Sequence, residues 1–428
     1  MFPSKYYIDT GHTHRADDLA SVPLPPPDSV CLPMSQHVGL PAVPVVKISE
    51  EVCRGQVIGE SAPNGLSLPV HSPISGRVKA IEVRTNSRGR SDTFVVIEND
   101  FCQTLHESVR PFAGNPLDFE ACIAFFKEKG LVGMGGSGYP VYAKLKNARN
   151  TTRTLIINAV ECEPLCSATT RQILEAPDRL VHGVRILAGL LHPRQVLLVT
   201  EKRHRHIAQQ LCALAPNVFK PRTVSDRYPI GDERQILKAL FQKELPAEAL
   251  PSAAGCAIFN AATCVQIAKA METGLPMTER IVTVNGDCVG RKRNLTVPLG
   301  TRVRDVIKSC GGFLKKPYML VCGGPMLGYC VDSAEAVVAR YTSAVLAFRD
   351  RSHSGNEDCI HCGRCVKICP MRLIPYYFER SVRGKLPPLA KNAFDPTACS
   401  ECGLCTFICP ANVPLNYLIK IAKKKEAR

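Results

Sequence analysis

The chain has 428 residues, 45% of them hydrophobic, with a net charge of +16, 21 cysteines, 30 glycines, 33 prolines and no tryptophan. That length allows about two to four domains of roughly 100–200 residues each, and the apolar fraction excludes disorder as the main state. No window approaches the ~18–20 uninterrupted apolar residues of a membrane-spanning helix, and the start at Met1 has no apolar signal core, so a soluble, intracellular, multidomain protein is expected.

Residues 22–33 read as a proline-rich extended segment after a polar leader, with Pro23, Pro25, Pro26 and Pro27 as punctuation. Short apolar runs separated by glycine turns follow at 43–48, 55–60, 68–71, 76–84 and 93–98, the spacing of a compact β-sandwich or barrel. Residues 52–59 and 69–78 look like the hairpins of biotinyl- and lipoyl-type domains. Those carriers hold a modifiable lysine at the tip, where this chain has Pro73-Ile74-Ser75-Gly76, so a docking or structural role is expected instead.

Asp118 to Lys129 has the periodicity of an amphipathic helix. After it comes Gly133-Met-Gly135-Gly136-Ser-Gly138-Tyr139-Pro140, which formally matches G-x-G-x-x-G but follows a helix, not the strand of a dinucleotide fingerprint. Glycines at this density free backbone N–H groups to approach a phosphate, and Lys144 supplies charge just downstream; a tight structural turn is the alternative. A short strand at Leu155–Asn158 runs into Ala159-Val160-Glu161-Cys162-Glu163-Pro164, placing two carboxylates at its C-terminal edge, where α/β sheets bind ligands. A strand at 195–200 and helices near 179–191 and 233–243 continue the α/β alternation, with Tyr228-Pro-Ile-Gly231-Asp232-Glu233 before the second helix. Singly, each acidic pair is also readable as a solvated loop or a helix cap. Strands at 280–286 and 294–301, then a helix and Gly311-Gly312, complete the middle of the chain.

Two clusters near the end read Cys359-x2-Cys362-x2-Cys365-x3-Cys369-Pro370 and Cys399-x2-Cys402-x2-Cys405-x3-Cys409-Pro410. This spacing wraps three thiolates around one cubane and sends the fourth to its neighbour. Cys359, Cys362, Cys365 and Cys409 are therefore assigned to one [4Fe–4S] cluster, and Cys399, Cys402, Cys405 and Cys369 to the other. Structural zinc normally uses two separated Cys pairs rather than a triple closed by Cys-Pro. Helices are expected at 373–383 and 416–425, with a Pro387-Pro388 loop between the motifs. The other thirteen cysteines read as small buried hydrophobes.

The ordered set His37–Pro41, Gly133–Lys144, Asn158–Pro164, Tyr228–Gln235, Asn260–Thr263, Val321–Gly328 and two ferredoxin motifs resembles the C subunit of Rnf-type electron-transport complexes over essentially the whole chain. Its central segment is also similar to the flavin-binding subunit of respiratory complex I. The resemblance implies a multidomain α+β and α/β fold: an N-terminal β barrel-sandwich hybrid (1–112), an α/β FMN- and NAD(H)-binding domain (113–252), a β-grasp soluble-ligand-binding domain acting as a connector (253–348) and a helical domain with two [4Fe–4S] motifs (349–428). It further implies a non-covalent FMN that exchanges hydride with NAD(H). Gly133, Gly135, Gly136, Gly138 and Lys144 would hold its phosphate and ribityl region; Asn158, Glu161, Tyr228, Gly231, Glu233, Asn260 and Thr263 would line the flavin. Tyr139 would stack on the dinucleotide, with Glu163 near its ribose. Leu165 and Thr169 depart from the family pattern, which tends to an aromatic residue and an aspartate there.

The resemblance implies partner subunits of a membrane-bound, ion-translocating complex, an indirect ferredoxin-like carrier, and peripheral attachment at the cytoplasmic face of the bacterial inner membrane. A cobalamin-reductase-like flavoprotein of the propanediol-utilisation type shares the flavin segment and paired cluster motifs, and a non-catalytic iron–sulfur scaffold is a third reading. Nucleic acid is not an expected partner, because no basic tract is interleaved with aromatics.

Overall fold

The computed structural model describes residues 8–9, 19–246, 249–349, 358–384 and 395–426. In the N-terminal module, strands Ser29–Pro33, Ser91–Asn99, Gly76–Thr85 and Glu51–Val52 form one sheet, and Val43–Pro44, Val57–Glu60 and Val70–His71 form a second. Alternation along the strands turns Val30, Leu32, Val95 and Ile97 inward to meet Ile58, Leu68 and Val70 between the sheets. The strand Ser29–Pro33 lies inside the stretch read as proline-rich; Pro23, Pro25, Pro26 and Pro27 precede it, Ser29-Val-Cys-Leu supplies the N–H groups that pair with Ser91–Asn99, and Pro33 stands at the strand's end. The expected carrier tip is docked: Ile74 and Ser75 are each only 1% exposed.

The α/β module is built on a four-stranded parallel sheet in the order Lys220–Val224, Gln195–Glu201, Thr154–Asn158, Cys256–Asn260. Leu155, Ile157, Leu198, Ala257 and Phe259 face the helices Pro177–Leu191 and Ala261–Thr273, while Ile156, Leu197, Val199 and Ile258 face the opposite way into a second core. Burial on both faces explains why the two central strands, Thr154–Asn158 and Gln195–Glu201, carry continuous apolar runs. The fourth strand and the helix after it lie beyond the boundary expected at residue 252. Pairing of Cys256–Asn260 with Thr154–Asn158 carries the α/β unit on to Thr273.

A six-stranded mixed sheet follows, in the order Tyr329–Val331, Met319–Cys322, Ala344–Phe348, Glu279–Asn285, Arg293–Pro298, Val22–Pro23, with the helix Val303–Ser309. The proline-bearing pair Val22–Pro23 takes the edge position. This module shares one core with the N-terminal sheets, where Val282, Leu295, Val297 and Val345 join Leu32 and Ile58. The last module consists of helices Arg364–Ile368, Pro375–Val382, Leu404–Phe407 and Leu415–Glu426 around Phe378, Val413, Leu418 and Ile419. The expected Pro387-Pro388 loop and most of the polar leader fall outside the described residues; within the leader Ile8–Asp9 pairs antiparallel with Arg227–Tyr228. Among those described, no helix is long and apolar enough to cross a membrane.

Candidate functional site

The glycine loop is anchored at both ends and open in the middle. Gly133 donates its N–H to the Tyr139 carbonyl at 2.8 Å, and the Met134 N–H donates to Thr263 Oγ1 at 2.9 Å, with Met134 and Val132 sunk in the core shared by the first and third modules. Gly135 and Gly136 are exposed, and neither amide donates to an acceptor among the described residues. Gly136 has φ of +99°, a left-handed conformation that disfavours other residues, and a Cβ placed there would meet nothing within 4 Å. A cradle of free amides beside open space is what a phosphate requires.

This loop lies over the carboxyl ends of the parallel strands. Asn260 ends its strand, caps the helix Ala261–Thr273 by accepting the Ala262 N–H at 2.9 Å, and sits against Gly135. Asn158 ends the neighbouring strand; its Nδ2 donates to the Gly231 carbonyl at 3.0 Å and its Oδ1 accepts from the Val160 N–H at 3.1 Å. Lys144 reaches across to pair with Glu233, in the first turn of the helix Glu233–Phe241, with its ammonium 5.3 Å from the Phe259 ring centroid. Asp232 caps that helix, and burial pushes its carboxyl up to about 6 against the Gln235 amide, which lowers it. Tyr139 is half-buried, its hydroxyl 3.4 Å from Asn147 Nδ2. The structure thus brings together Gly133–Gly138, Lys144, Asn158, Gly231, Glu233, Asn260 and Thr263. The exposed amides, the lysine and the amide side chains fit a bound flavin mononucleotide.

The two carboxylates after the strand are engaged within the protein. Glu161 is buried and accepts the N–H groups of Thr169 and Thr170 at 3.0 and 2.8 Å, at the start of the helix Ala168–Glu175, where the helix dipole favours an anion. Glu163 accepts the Leu327 and Met326 N–H groups at 2.8 and 3.2 Å, tying the α/β module to the Gly323–Gly328 turn of the third. Burial raises Glu163 to about 7, opposed by those two amides. A Cβ on Gly324 would lie 2.4 Å from the Glu163 carboxyl, so this turn needs glycine for close approach. Of the two departures from the family pattern, Thr169 supplies one of the amides that Glu161 accepts. Leu165, with φ of +63°, packs against Cys166, Val321 and Leu346 at the border with the third module.

Sequence reading missed Glu201. It is fully buried at the end of the strand Gln195–Glu201, accepts the Glu161 N–H at 3.0 Å and pairs with Arg203 at 2.9 Å. The hydrogen bond from His204, the Arg203 charge and the Glu161 amide hold it below the usual carboxylate range, despite the opposing effect of burial. A carboxylate one residue beyond the expected strand was the available signal.

The cysteines of the two motifs gather into two sets. One cavity is lined by Cys359, Cys362, Cys365 and Cys409, and another by Cys369, Cys399, Cys402 and Cys405. Among the described residues no three Cys, His, Asp or Glu side chains converge on a point that would hold a single metal ion. Four thiols around a wider space suit a multinuclear cluster better than zinc. Burial, together with neighbouring thiols of the same set, pushes the Cys402 thiol up to about 12 and Cys365 up to about 11. Cluster assembly must therefore release their protons. Outside these motifs nine of thirteen cysteines are buried, and every cysteine is free of disulfides.

The second cavity abuts the flavin side. Tyr228, 1% exposed, donates its hydroxyl to the Cys402 carbonyl at 2.7 Å, and Gln235 Nε2 lies 3.4 Å from Met371 Sδ. Ile368 and Leu404 enter the core formed by Ile156, Val160 and Ile230. The loop that carries Tyr228 and Gly231 is therefore wall to both sites.

Four family models cover most of this architecture: the RnfC barrel sandwich hybrid domain over residues 10–102, the Nuo51 FMN-binding domain over 126–269, the SLBB domain over 281–329 and the 4Fe-4S dicluster domain over 358–413. The C subunit of the Na(+)-translocating ferredoxin:NAD(+) oxidoreductase complex of Acetobacterium woodii is 33% identical over 396 residues, covering 89% of this chain and 88% of that protein. Its counterpart in the proton-translocating ferredoxin:NAD(+) oxidoreductase complex of Clostridium ljungdahlii is 31% identical, covering 82% and 78%. The C subunit of the ion-translocating oxidoreductase complex of Rhodobacter capsulatus is 33% identical, covering 87% and 73%. A chain of an NAD+-reducing [NiFe]-hydrogenase in the air-oxidized state matches with a TM-score of 0.49 at 19% identity, over 63% of this chain and 54% of that one. With about a third of its aligned residues shared with the Acetobacterium woodii C subunit over 89% of its length, the chain belongs to the RnfC family, the C subunits of ion-translocating oxidoreductase complexes.

Proposed function

We propose that this chain is the NAD(H)-facing subunit of a ferredoxin:NAD oxidoreductase complex. It holds FMN on the α/β module and passes electrons through two [4Fe–4S] clusters in the last module to partner subunits. FMN supplies the conversion between two-electron hydride exchange and one-electron transfer. Gly135 and Gly136 present amides to its phosphate from the loop that Gly133 and Gly138 anchor, and Lys144 adds charge. Asn158, Tyr228, Gly231, Glu233, Asn260 and Thr263 line the rest, and Tyr139 stands beside the entrance for the dinucleotide. Glu161 and Glu163 act through the helix and the turn they anchor. Cys359, Cys362, Cys365 and Cys409 hold one cluster, and Cys369, Cys399, Cys402 and Cys405 the other. The protein sits peripherally at the cytoplasmic face of the membrane, held there by its partners.

The observation that carries this reading is the Tyr228–Cys402 hydrogen bond, because one loop then serves both the flavin pocket and a cluster. The test is an anaerobic titration of the FMN- and cluster-loaded chain with NADH, following flavin absorbance near ~450 nm and cluster absorbance near ~400 nm. Bleaching of both is expected. Bound flavin that NADH leaves oxidised would overturn the role in NAD(H) exchange.

A further inference from the structure

The N-terminal module touches the glycine loop at two places. The backbone N–H of Val38 donates to the Gly138 carbonyl at 3.0 Å, and Arg88, from the hairpin between the two longest strands, places Nη2 3.4 Å from the Ser137 carbonyl. The hairpin is rigid without Arg88's side chain. Asn86 Oδ1 accepts the N–H groups of Arg88 and Arg90 at 2.9 and 3.2 Å, its Nδ2 donates to Asp92, and Ser87 bonds the Tyr341 hydroxyl at 3.0 Å.

The guanidinium itself is stacked on Tyr341 at 3.7 Å from the ring centroid, with Tyr329 at 5.7 Å. Among the described residues its Nε, shielded from solvent, has no hydrogen-bond partner, and no carboxylate pairs with it. A half-buried cation without a counter-charge costs free energy that a structural arginine recovers from an ion pair. This one has been given a fixed plane and one long contact, to the carbonyl of Ser137, the residue that follows the exposed Gly135-Gly136 pair in the same loop. Arginine presents a fork matched to phosphate oxygens, and such charge-assisted bonds are the strong ones.

We propose that Arg88 is a phosphate-binding residue of the nucleotide site, contributed by the N-terminal module to a pocket whose other walls come from the α/β and β-grasp modules. This rests on the function proposed above. The phosphate belongs either to FMN or to the dinucleotide, and the two share the chemistry that Arg88 recognises.

The test uses the full chain with both clusters assembled and compares wild type with Arg88→Gln and Arg88→Ala. FMN and riboflavin binding are read by flavin fluorescence, and NADH by flavin bleaching. Removing the charge is expected to weaken the phosphate-bearing ligand by about ten- to a hundred-fold, the worth of a hydrogen bond to a charged group. Weaker FMN with unchanged riboflavin assigns Arg88 to the flavin phosphate; weaker NADH with FMN retained assigns it to the pyrophosphate. Wild-type affinities for FMN and NADH in Arg88→Gln overturn the proposal. So does equal weakening of FMN and riboflavin in both variants, which marks Arg88 as a loop support. Should NADH fail to bleach wild type, the proposed function falls, while the FMN and riboflavin comparison still decides the fate of Arg88.

Discussion

Glu163 offers a test of whether the turn between Gly323 and Gly328 is held by a buried carboxyl. Its folded-state value of about 7 lies above the ordinary 4.5, because burial disfavours the charge more than the Met326 and Leu327 amides favour it. When the turn opens, Glu163 meets water and returns to its ordinary value. The sign follows: the closed turn has its full stability below pH 4.5, and loses it progressively as pH rises through 7, since the open form releases its proton first. Between those limits the loss is about 3 kcal/mol at 1.36 kcal/mol per unit, roughly a hundredfold in the opening equilibrium. Hydrogen exchange of the Met326 and Leu327 amides, corrected for intrinsic rates, reads that equilibrium directly. Wild-type protection should fall about a hundredfold from pH 4.5 to 7.5, while Glu163→Gln, which cannot ionise, should start lower and stay flat. The Gln variant starts lower because its NH2 faces one of the two donors and leaves that N–H unpaired, at about 1–3 kcal/mol. Parallel pH slopes in the two proteins would refute the argument.

Cys362→Ser should cost about half the iron and leave FMN in place, since each motif contributes three thiolates to a separate cluster; iron analysis showing two intact clusters would contradict the ligand sets. Gly136→Ala should fold with its clusters, because open space receives the Cβ, yet strain the loop by about 1–3 kcal/mol and lose FMN; a flavin-to-iron ratio equal to wild type would remove Gly136 from the cradle. Lys144→Ala should weaken FMN by about tenfold or more through loss of a cation near the phosphate, and unchanged binding in a fluorescence titration would discard that role.

The sequence made the elements around the site readable where local chemistry was strong. Asp118 ahead of Phe119–Glu128 and Asp232 ahead of Glu233–Phe241 cap their helices by accepting two N–H groups each. The apolar run at 154–158 became a strand because both of its faces are covered. The crossed cysteine sets follow from spacing, which is a local property. What sequence could not convey is where long-range contacts take a side chain. Glu161 and Glu163 read as pocket carboxylates because they end a strand, but one anchors a helix and the other a turn more than 160 residues away. Lys220–Val224, polar and largely exposed at the edge of its sheet, has no periodicity to betray it. Arg88 sits in an ordinary hairpin turn, and only the fold brings Ser137 and Tyr341 to it.

The two cysteine sets are chemically alike and structurally unequal, and that inequality gives the proposed wire an order. The set of Cys369, Cys399, Cys402 and Cys405 faces inward: Tyr228 holds the Cys402 carbonyl, Leu404 lies in the core beneath the parallel sheet, and the Met326 carbonyl presses on Gly403, where an added Cβ would approach it to 2.9 Å. The set of Cys359, Cys362, Cys365 and Cys409 faces outward, with Cys362 exposed and Ile360 at its rim 62% exposed. On the function proposed above, an electron passing between flavin and a partner protein would therefore meet the inner set on the flavin side and the outer set on the partner side. Three modules fix the inner set in place, since the Glu163 contact ties the β-grasp turn to the same α/β loops that carry the flavin pocket. The outer set rests on its own helices, around Phe378 and Val413, and presents an apolar residue to whatever it meets. The rigid end thus belongs to the internal transfer, and the exposed end to exchange with another protein.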